Sequence, residues 1–373
     1  MRAAPDTILV SRSPGETRYA LLAGEQVIEI VHRRDAELQP GAVYAGRITA
    51  RVPGVNAVFV EIGDGAPGVL AVKHPPPLGT AVAVTVIVPA RGDTSNQKGA
   101  ELKAAELRIP DTAKVPSLLQ AAPEPVTAWL TCYDQGIARI VATPRREAQR
   151  LRTLLGPGAP VEDYDGDLFA AEGVDEAIEA GLAPLVPLPS GGSLIIEHTA
   201  AIIAIDINSG PADPGIANGE AVVAVAAELR RRNIAGHILV DIIPGRRRAA
   251  WPRLLAEALS DDPVPARVTG LTPLGMIELT RQRLGLSLRE MLCDADGGLS
   301  AASVAYKLLR DAVRLAVTEK AAGVAAGAAP AVVALLQGTL RPALEEARDM
   351  VKGEIALNAR TDFTRTRFEL RPA

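Results

Sequence analysis

Aromatic residues are scarce: two Trp, five Tyr and four Phe make up 3% of 373 residues. A core of stacked rings is excluded. Val, Ile, Leu and Ala must fill the interior, which suits buried strands covered by helices. Cysteine is nearly absent as well. Cys132 and Cys293 are the two present and form no CxxC pair, so neither a disulfide framework nor an independent structural zinc module is indicated, and a reducing cytosol is the default compartment. The longest apolar stretch, near Ala321 to Leu336, is short for a membrane span, rich in Gly and Ala and broken by Pro330. It reads as a small-residue hinge and the start of a helix. The opening MRAAPDTILV has no charged head before an apolar core, so no signal peptide is expected. A net charge of -4 excludes a wholly basic nucleic-acid coat but leaves room for a local cationic groove. With 48% hydrophobic residues, a long disordered chain is excluded, and about two or three domains are expected.

Short alternating runs dominate the first hundred residues: DTILVSRS, TRYALLAG and QVIEIVH, then AVYAGRITARV, AVFVEIG, GVLAV and AVAVTVIV. Turns at Pro53-Gly54 and Gly63-Asp64-Gly65 separate several of them, which is the signal for a small antiparallel barrel of five strands between about Gly41 and Pro110. The strands before Arg34 belong to another layer, so the barrel is expected as an insertion. TAWLTCYDQGIARIVATP then suggests two strands, and PRREAQRLRTLLG has helical spacing with a Gly stop. Eight acids and no Lys or Arg fall between Val161 and Ala180. Such a run suits a solvated helix face held down by Leu168, Phe169, Val174 and Ile178, in preference to a metal site. LPSGGSLIIEHTAAIIAIDINSG reads as two strands, NGEAVVAVAAELRRRN as a helix capped by Asn218 and ended by Gly236, and HILVDII as a buried strand. This order belongs to an α/β sheet with a ligand site at strand C-terminal ends. A helix-rich tail, about 299 to 353, and two closing strands follow.

Asp206 and Asn208 stand at i and i+2 on an otherwise apolar strand, so they share a face, and Asp241 ends a second apolar strand. Two carboxylates with water and phosphate oxygens suit a hard cation such as Mg²⁺. Strand-terminating side chains that cap the next turn have the same spacing. Residues 228 to 253 hold seven arginines (Arg230, Arg231, Arg232, Arg246, Arg247, Arg248, Arg253) against Glu228 and Asp241, with Arg281 and Arg283 further on. Guanidinium groups pair well with phosphate, while each triplet alone also suits a solvated helix end or loop.

The segments LPSGGSLIIEHTAAIIAIDINSG, EAVVAVAAELRRRNIAGHILVDII and PLGMIELTRQRLGLSLREML strongly resemble the core of the ribonuclease E/G endoribonucleases. The likeness extends upstream through TILVSRSPGETRYALLAGEQVIEI and GAVYAGRITARVPGVNAVFVEIGDGAPGVL to NQKGAEL, and AIDINS is its most specific part. It implies an α/β multidomain chain: an RNase H-like subdomain (1–37 and 111–190) interrupted by an OB-type RNA-binding barrel (38–110), a DNase I-like catalytic subdomain (191–298) and a small C-terminal α+β domain (299–373). It also implies that Asp206 and Asp241 hold Mg²⁺, with Mn²⁺ as the alternative, while Asn208 orients the phosphate or an attacking water. Phe59 would stack a base, Lys98 would bind backbone, and Arg246, Arg247, Arg281 and Arg283 would face RNA. Phe59 also suits the core of AVFV.

Three departures from the family pattern stand out. Val69 occupies the second stacking position. No Arg-Thr-Ala segment for 5′-monophosphate recognition is found between Pro110 and Ser190; Arg152-Thr153 falls in a helix, so 5′-end-dependent activation is not expected. The paired CPxC motif is reduced to LCDADGG, where Cys293 remains and Asp296 stands in place of a second thiolate, so no zinc-linked dimer is expected, and a homo-oligomer without that link stays open. With the sequence reaching Ala373, the long scaffold tail of some family members is not expected. The expected activity is Mg²⁺-dependent hydrolysis of single-stranded RNA to 5′-phosphate and 3′-hydroxyl ends, in RNA processing or decay in the cytoplasm, with no membrane partner. A catalytically weak or inactive RNA-binding paralogue and a small-molecule phosphoesterase are the competing readings.

Overall fold

The strands β1 (Thr7–Ser13), β2 (Glu16–Ala23) and β3 (Gln26–Arg34) form an antiparallel meander, turned at Gly15 with φ +69°. The computed structural model describes residues 4–63, 65–91, 98–133, 136–245 and 247–373. After β3 the chain enters the barrel: β4 (Val43–Arg51), β5 (Ala57–Glu61), β6 (Gly68–Ala71), β7 (Ala81–Val88) and β8 (Glu101–Ala104). These are the five strands expected, and the pairing of β5 with β4 closes them into a barrel. Alternation fills it: Ile48, Val58, Val60, Leu70, Val84, Val86 and Leu102 point inward. Gly46 is required there because an added Cβ would lie 2.5 Å from Val60 Cγ1. A sixth strand, β9 (Ser117–Gln120), adds to β4 beyond residue 110.

The chain then returns to the first sheet through α1 (Pro125–Tyr133), β10 (Arg139–Thr143), α2 (Arg145–Leu155), β11 (Val161–Asp163), α3 (Leu168–Ala171) and α4 (Val174–Leu182). The sheet order is β11-β10-β1-β2-β3, with β10 parallel to β1, so the barrel is inserted between β3 and the rest of this sheet. Ile8, Val10, Tyr19 and Leu21 face α1 and α2, whereas Leu9, Ala20 and Leu22 face α3 and α4. TAWLTCY is a helix instead of the expected strand. Its Val126, Trp129, Leu130 and Tyr133 lie at i, i+3, i+4 and i+7 and all pack on one cluster, and Pro125 starts it. In the acidic run Leu168, Phe169 and Val174 are buried, Ile178 packs beside them, and Asp167 caps α3.

The next sheet comprises β12 (Leu185–Pro187), β13 (Ser193–His198) and β14 (Ile203–Asn208), then α5 (Pro214–Arg231), β15 (Gly236–Asp241), α6 (Trp251–Ala258), β16 (Ala266–Leu271) and β17 (Ile277–Arg281). Its order is β12-β13-β14-β15-β17-β16, and β14 with β15 is the parallel pair. Helices α5 and α6 cover one face, where Ile203, Ile205, Ile207, Ile238, Val240, Ile277 and Leu279 meet Val225, Leu229, Trp251 and Leu255. Two expected helix boundaries are corrected. Asp213, followed by Pro214, caps α5, while Asn218 is 1% exposed inside it; the helix closes at Arg231, and Gly236 opens β15.

A short helix α7 (Leu288–Leu292) packs under the first sheet. The C-terminal unit is α8 (Ala301–Glu319), β18 (Val324–Ala328), α9 (Pro330–Gln337), α10 (Arg341–Val351), β19 (Ile355–Ala359) and β20 (Phe368–Pro372), with β18 central. The small-residue stretch expected as a hinge is therefore a strand. Ala326 and Ala328 are 1% and 0% exposed beneath the helices, and small side chains permit that close approach.

Candidate functional site

Alternation decides the face on which chemistry is placed. Since Ile203, Ile205 and Ile207 are drawn under α5 and α6, Asp206 and Asn208 must project from the uncovered face, and Val240 sends Asp241 the same way. Asp206 and Asp241 are direct partners across the parallel pair, so their strands are about 4.8 Å apart at that level. Asp206, Asn208 and Asp241 are all exposed. Among the described residues neither carboxylate has an ion pair or a side-chain hydrogen bond, and no group of three or more His, Cys, Asp or Glu converges. Two adjacent carboxylates without compensating charge suit a hard divalent cation whose remaining positions stay open to water and phosphate oxygens.

The segment leaving Asp241 is clamped by a residue whose role the sequence did not disclose. Inside α5, Asn218 donates through Nδ2 to the Ile243 carbonyl at 2.8 Å and accepts from the Ile243 amide at 3.1 Å. A lone Asn on the apolar face of a helix was the available signal.

The arginines divide sharply. Arg230 binds Glu29 at 2.7 Å and Tyr133. Arg231 and Arg232 both donate to Glu228, and Arg232 also reaches the carbonyls of Ala183 and Ala180. Arg281 follows Ile277 and Leu279 onto the covered face, is 3% exposed, and is held by Asp262 at 2.8 and 3.1 Å, by Asn233 and by the Ile234 carbonyl. The structure thus gives Arg281 a packing role and does not bring it to the RNA surface expected for it. Arg283 donates to both oxygens of Glu290 at 2.9 Å. Arg246 lies outside the described residues. Arg247 is exposed, and Arg248 donates to the Leu274 carbonyl at 3.4 Å, tying the loop after β15 to the β16–β17 turn.

On the barrel Phe59 stands directly opposite Val69 on the outer side, half-buried and apart from the inward Val58 and Val60. Lys98 is exposed and its backbone pairs with that of Arg91. Arg152 holds Asp163 and the Val161 carbonyl within the first sheet's layer. Cys293 is half-buried, and burial first pushes its thiol up. Asp296 is gripped by Arg365 at 2.7 and 2.8 Å.

The fold and site together define a multidomain α/β protein that carries a closed barrel on one sheet and presents paired carboxylates on the open face of another. Residues 97–284, half the chain, match the sequence model of the Ribonuclease E/G family. Ribonuclease G of Salmonella typhimurium (strain SL1344) is 32% identical over 230 residues, 56% of this chain and 47% of that protein. Ribonuclease G of Haemophilus influenzae is 37% identical over 172 residues, 41% of this chain and 35% of the relative. Ribonuclease E of Nostoc sp. is 40% identical over 140 residues, 34% and 20%. The chain therefore spans less than half the length of these relatives. It belongs to the ribonuclease E/G family.

Proposed function

We propose that the protein is a magnesium-dependent endoribonuclease that hydrolyses single-stranded RNA internally, with Mn²⁺ able to substitute, in cytoplasmic RNA processing or decay. The observation that carries this reading is the registered pair Asp206 and Asp241, without an ion-pair partner among the described residues, on an open sheet face in a chain of this family that also bears a barrel. We assign the first sheet to an RNase H-like subdomain, the barrel to the OB type and the carboxylate-bearing sheet to a DNase I-like subdomain. A divalent cation held by Asp206 and Asp241 supplies positive charge at the scissile phosphate and acidifies nearby water. Asn208, on the same face, offers an amide NH₂ with two donors and a carbonyl acceptor with which to orient a phosphate oxygen or the attacking water. The P–O3′ bond breaks; water supplies the oxygen retained on the 5′-phosphate and the proton taken by the 3′-oxygen. On the barrel, Phe59 gives a base one stacking surface and Lys98 gives the backbone a cation, while Arg247 lies close in sequence to the carboxylate end.

The test is cleavage of a 5′-labelled A/U-rich single strand in Mg²⁺ or EDTA, with 5′-monophosphate and 5′-hydroxyl forms, by the parent protein and by Asp206→Asn and Asp241→Asn proteins shown to be folded. Loss of several kcal/mol of charge stabilisation lowers the rate on the order of a thousandfold, and the parent is expected to be indifferent to the 5′ end. A folded Asp241→Asn protein that cuts as fast as the parent refutes the metal role. RNA bound by the parent but never cut leaves the RNA-binding paralogue as the function.

A further inference from the structure

A cavity of about 760 Å³ lies where the barrel, the beginnings of β14 and β15 and the helix α7 meet, away from the carboxylates. Its acids are already matched. Glu101 pairs with Arg91, Glu290 with Arg283 and Arg91, Glu37 with Arg34, and Asp294 with Arg365. Arg289 is the exception among the guanidinium groups lining it: among the described residues it has no ion pair and no side-chain hydrogen bond. Its side chain crosses the turn at Gly297, where an added Cβ would lie 2.7 Å from Nη2. On the same cavity wall, Arg91 keeps Nη1 buried without a partner among the described residues, and exposed Lys98 stands on the barrel side. A buried N–H donor such as Arg91 Nη1 is costly without an acceptor, and an anion with several oxygens satisfies it while meeting the charge of half-buried Arg289.

His237 sets the cavity's relation to the carboxylates. It lines the cavity, shares the face of Asp241 and precedes it by four residues, which is about 13 Å along a strand. A few nucleotides span that distance.

We propose that this cavity is a second phosphate subsite for the RNA strand, in which Arg289 grips a backbone phosphate between the barrel and the Asp206–Asp241 corner, with Arg91 and Lys98 alongside. The inference rests on the RNA-cleaving reading and deepens it, because it assigns the strand a path from Lys98, past Arg289 and His237, to the carboxylates. Phosphate is favoured as the ligand because the donors are guanidinium and ammonium groups and the cavity adjoins both the barrel and the open sheet face.

Binding of a fluorescent single-stranded RNA of about a dozen nucleotides is measured by anisotropy in EDTA across a salt series, for the full-length parent, Arg289→Ala and Arg289→Lys. One phosphate contact removed from a single strand lowers the slope of log affinity against log salt by about 0.7. Arg289→Ala is expected to bind several-fold more weakly with that smaller slope, and Arg289→Lys to keep the parent slope. A merely structural arginine would not move the slope. Parent-like slope and affinity in Arg289→Ala overturn the subsite while leaving the endoribonuclease reading intact. A parent that binds no RNA overturns the subsite, and its Mg²⁺-dependent cleavage, assayed separately, decides whether the endoribonuclease reading falls too.

Discussion

His198 closes β13 among cations, and burial first and Arg289 next push its pKa down to about 4. The ring is therefore neutral at physiological pH and adds no charge to the cavity it lines. Removing Arg289 takes away the largest unfavourable charge acting on His198, so Arg289→Ala must raise the His198 pKa; an NMR titration of its ring resonances reads this directly, and an unmoved midpoint contradicts the arrangement. The same shift has a consequence for stability. Below the ordinary histidine value of 6.5 the unfolded chain takes up a proton that native His198 refuses until about pH 4. Native stability accordingly falls as pH drops through that interval, and His198 contributes no slope above it. Burial lowers the His32 pKa too, which adds in the same direction. Urea midpoints at pH 7.5, 6 and 5 are expected to decline in that order, and a His198→Phe protein should show a shallower decline.

At the scale of elements, the proposed stacking of a base falls on the β5–β6 pair. Phe59 and Val69 are direct cross-strand partners on the outer side, so a second ring at 69 would stand beside the first. Phe59→Ala is expected to weaken single-strand binding by about 1–3 kcal/mol and Val69→Phe to strengthen it, by up to a similar amount. Equal affinity of Val69→Phe and parent would show that RNA does not cross this part of the barrel. The barrel strands were legible because apolar and polar residues alternate from Val43 through Val88, and the insertion was legible from the strands on either side. Helix α1 was not: the short run TAWLTCY is too brief to show a helical period by itself, and its helical face shows only once Val126, Trp129, Leu130 and Tyr133 meet the first sheet. Central strand β18 was obscured because Gly and Ala carry no periodicity of their own, although its helical cover requires them. The carboxylate pair was visible as spacing, while its exposure depended on which sheet face the helices cover. Arg281 shows the converse. Its alternation with Ile277 and Leu279 pointed to the covered face, but its arginine chemistry invited a surface role.

Across the whole molecule, one buried carboxylate joins the first sheet to the C-terminal unit, which lies beyond the residues matched by the family model. Glu16 on β2 is 2% exposed and receives Arg34 Nε at 3.0 Å, Arg310 Nη1 from α8 at 3.1 Å and His32 Nδ1 at 3.2 Å. Burial alone would raise its pKa; the surrounding cations outweigh burial and hold it well below the ordinary carboxylate range. Arg34 extends the junction to Ser303 Oγ and the Met291 carbonyl, and Arg12 with the Gly15 amide grips Glu346 of α10. Glu16→Gln keeps the shape but removes the charge, leaving buried Arg34 with Glu37 as its remaining carboxylate, so the cost should stay below the roughly 3–5 kcal/mol of a buried pair broken outright. Arg310→Ala removes a guanidinium whose side chain is 21% exposed and leaves Arg34 in place, so it should cost distinctly less. In a chain of several units the loss need not appear as one cooperative transition. Hydrogen exchange separates the cases: Glu16→Gln should lose protection first along α8 and β18, with β14 and β15 following only at higher denaturant, since the carboxylate-bearing sheet has its own core under α5 and α6. Simultaneous loss at β14 and α8 would instead mean that the Glu16 junction supports the carboxylate-bearing sheet as well, and Glu16→Gln would then reduce the proposed RNA cleavage before the protein unfolds.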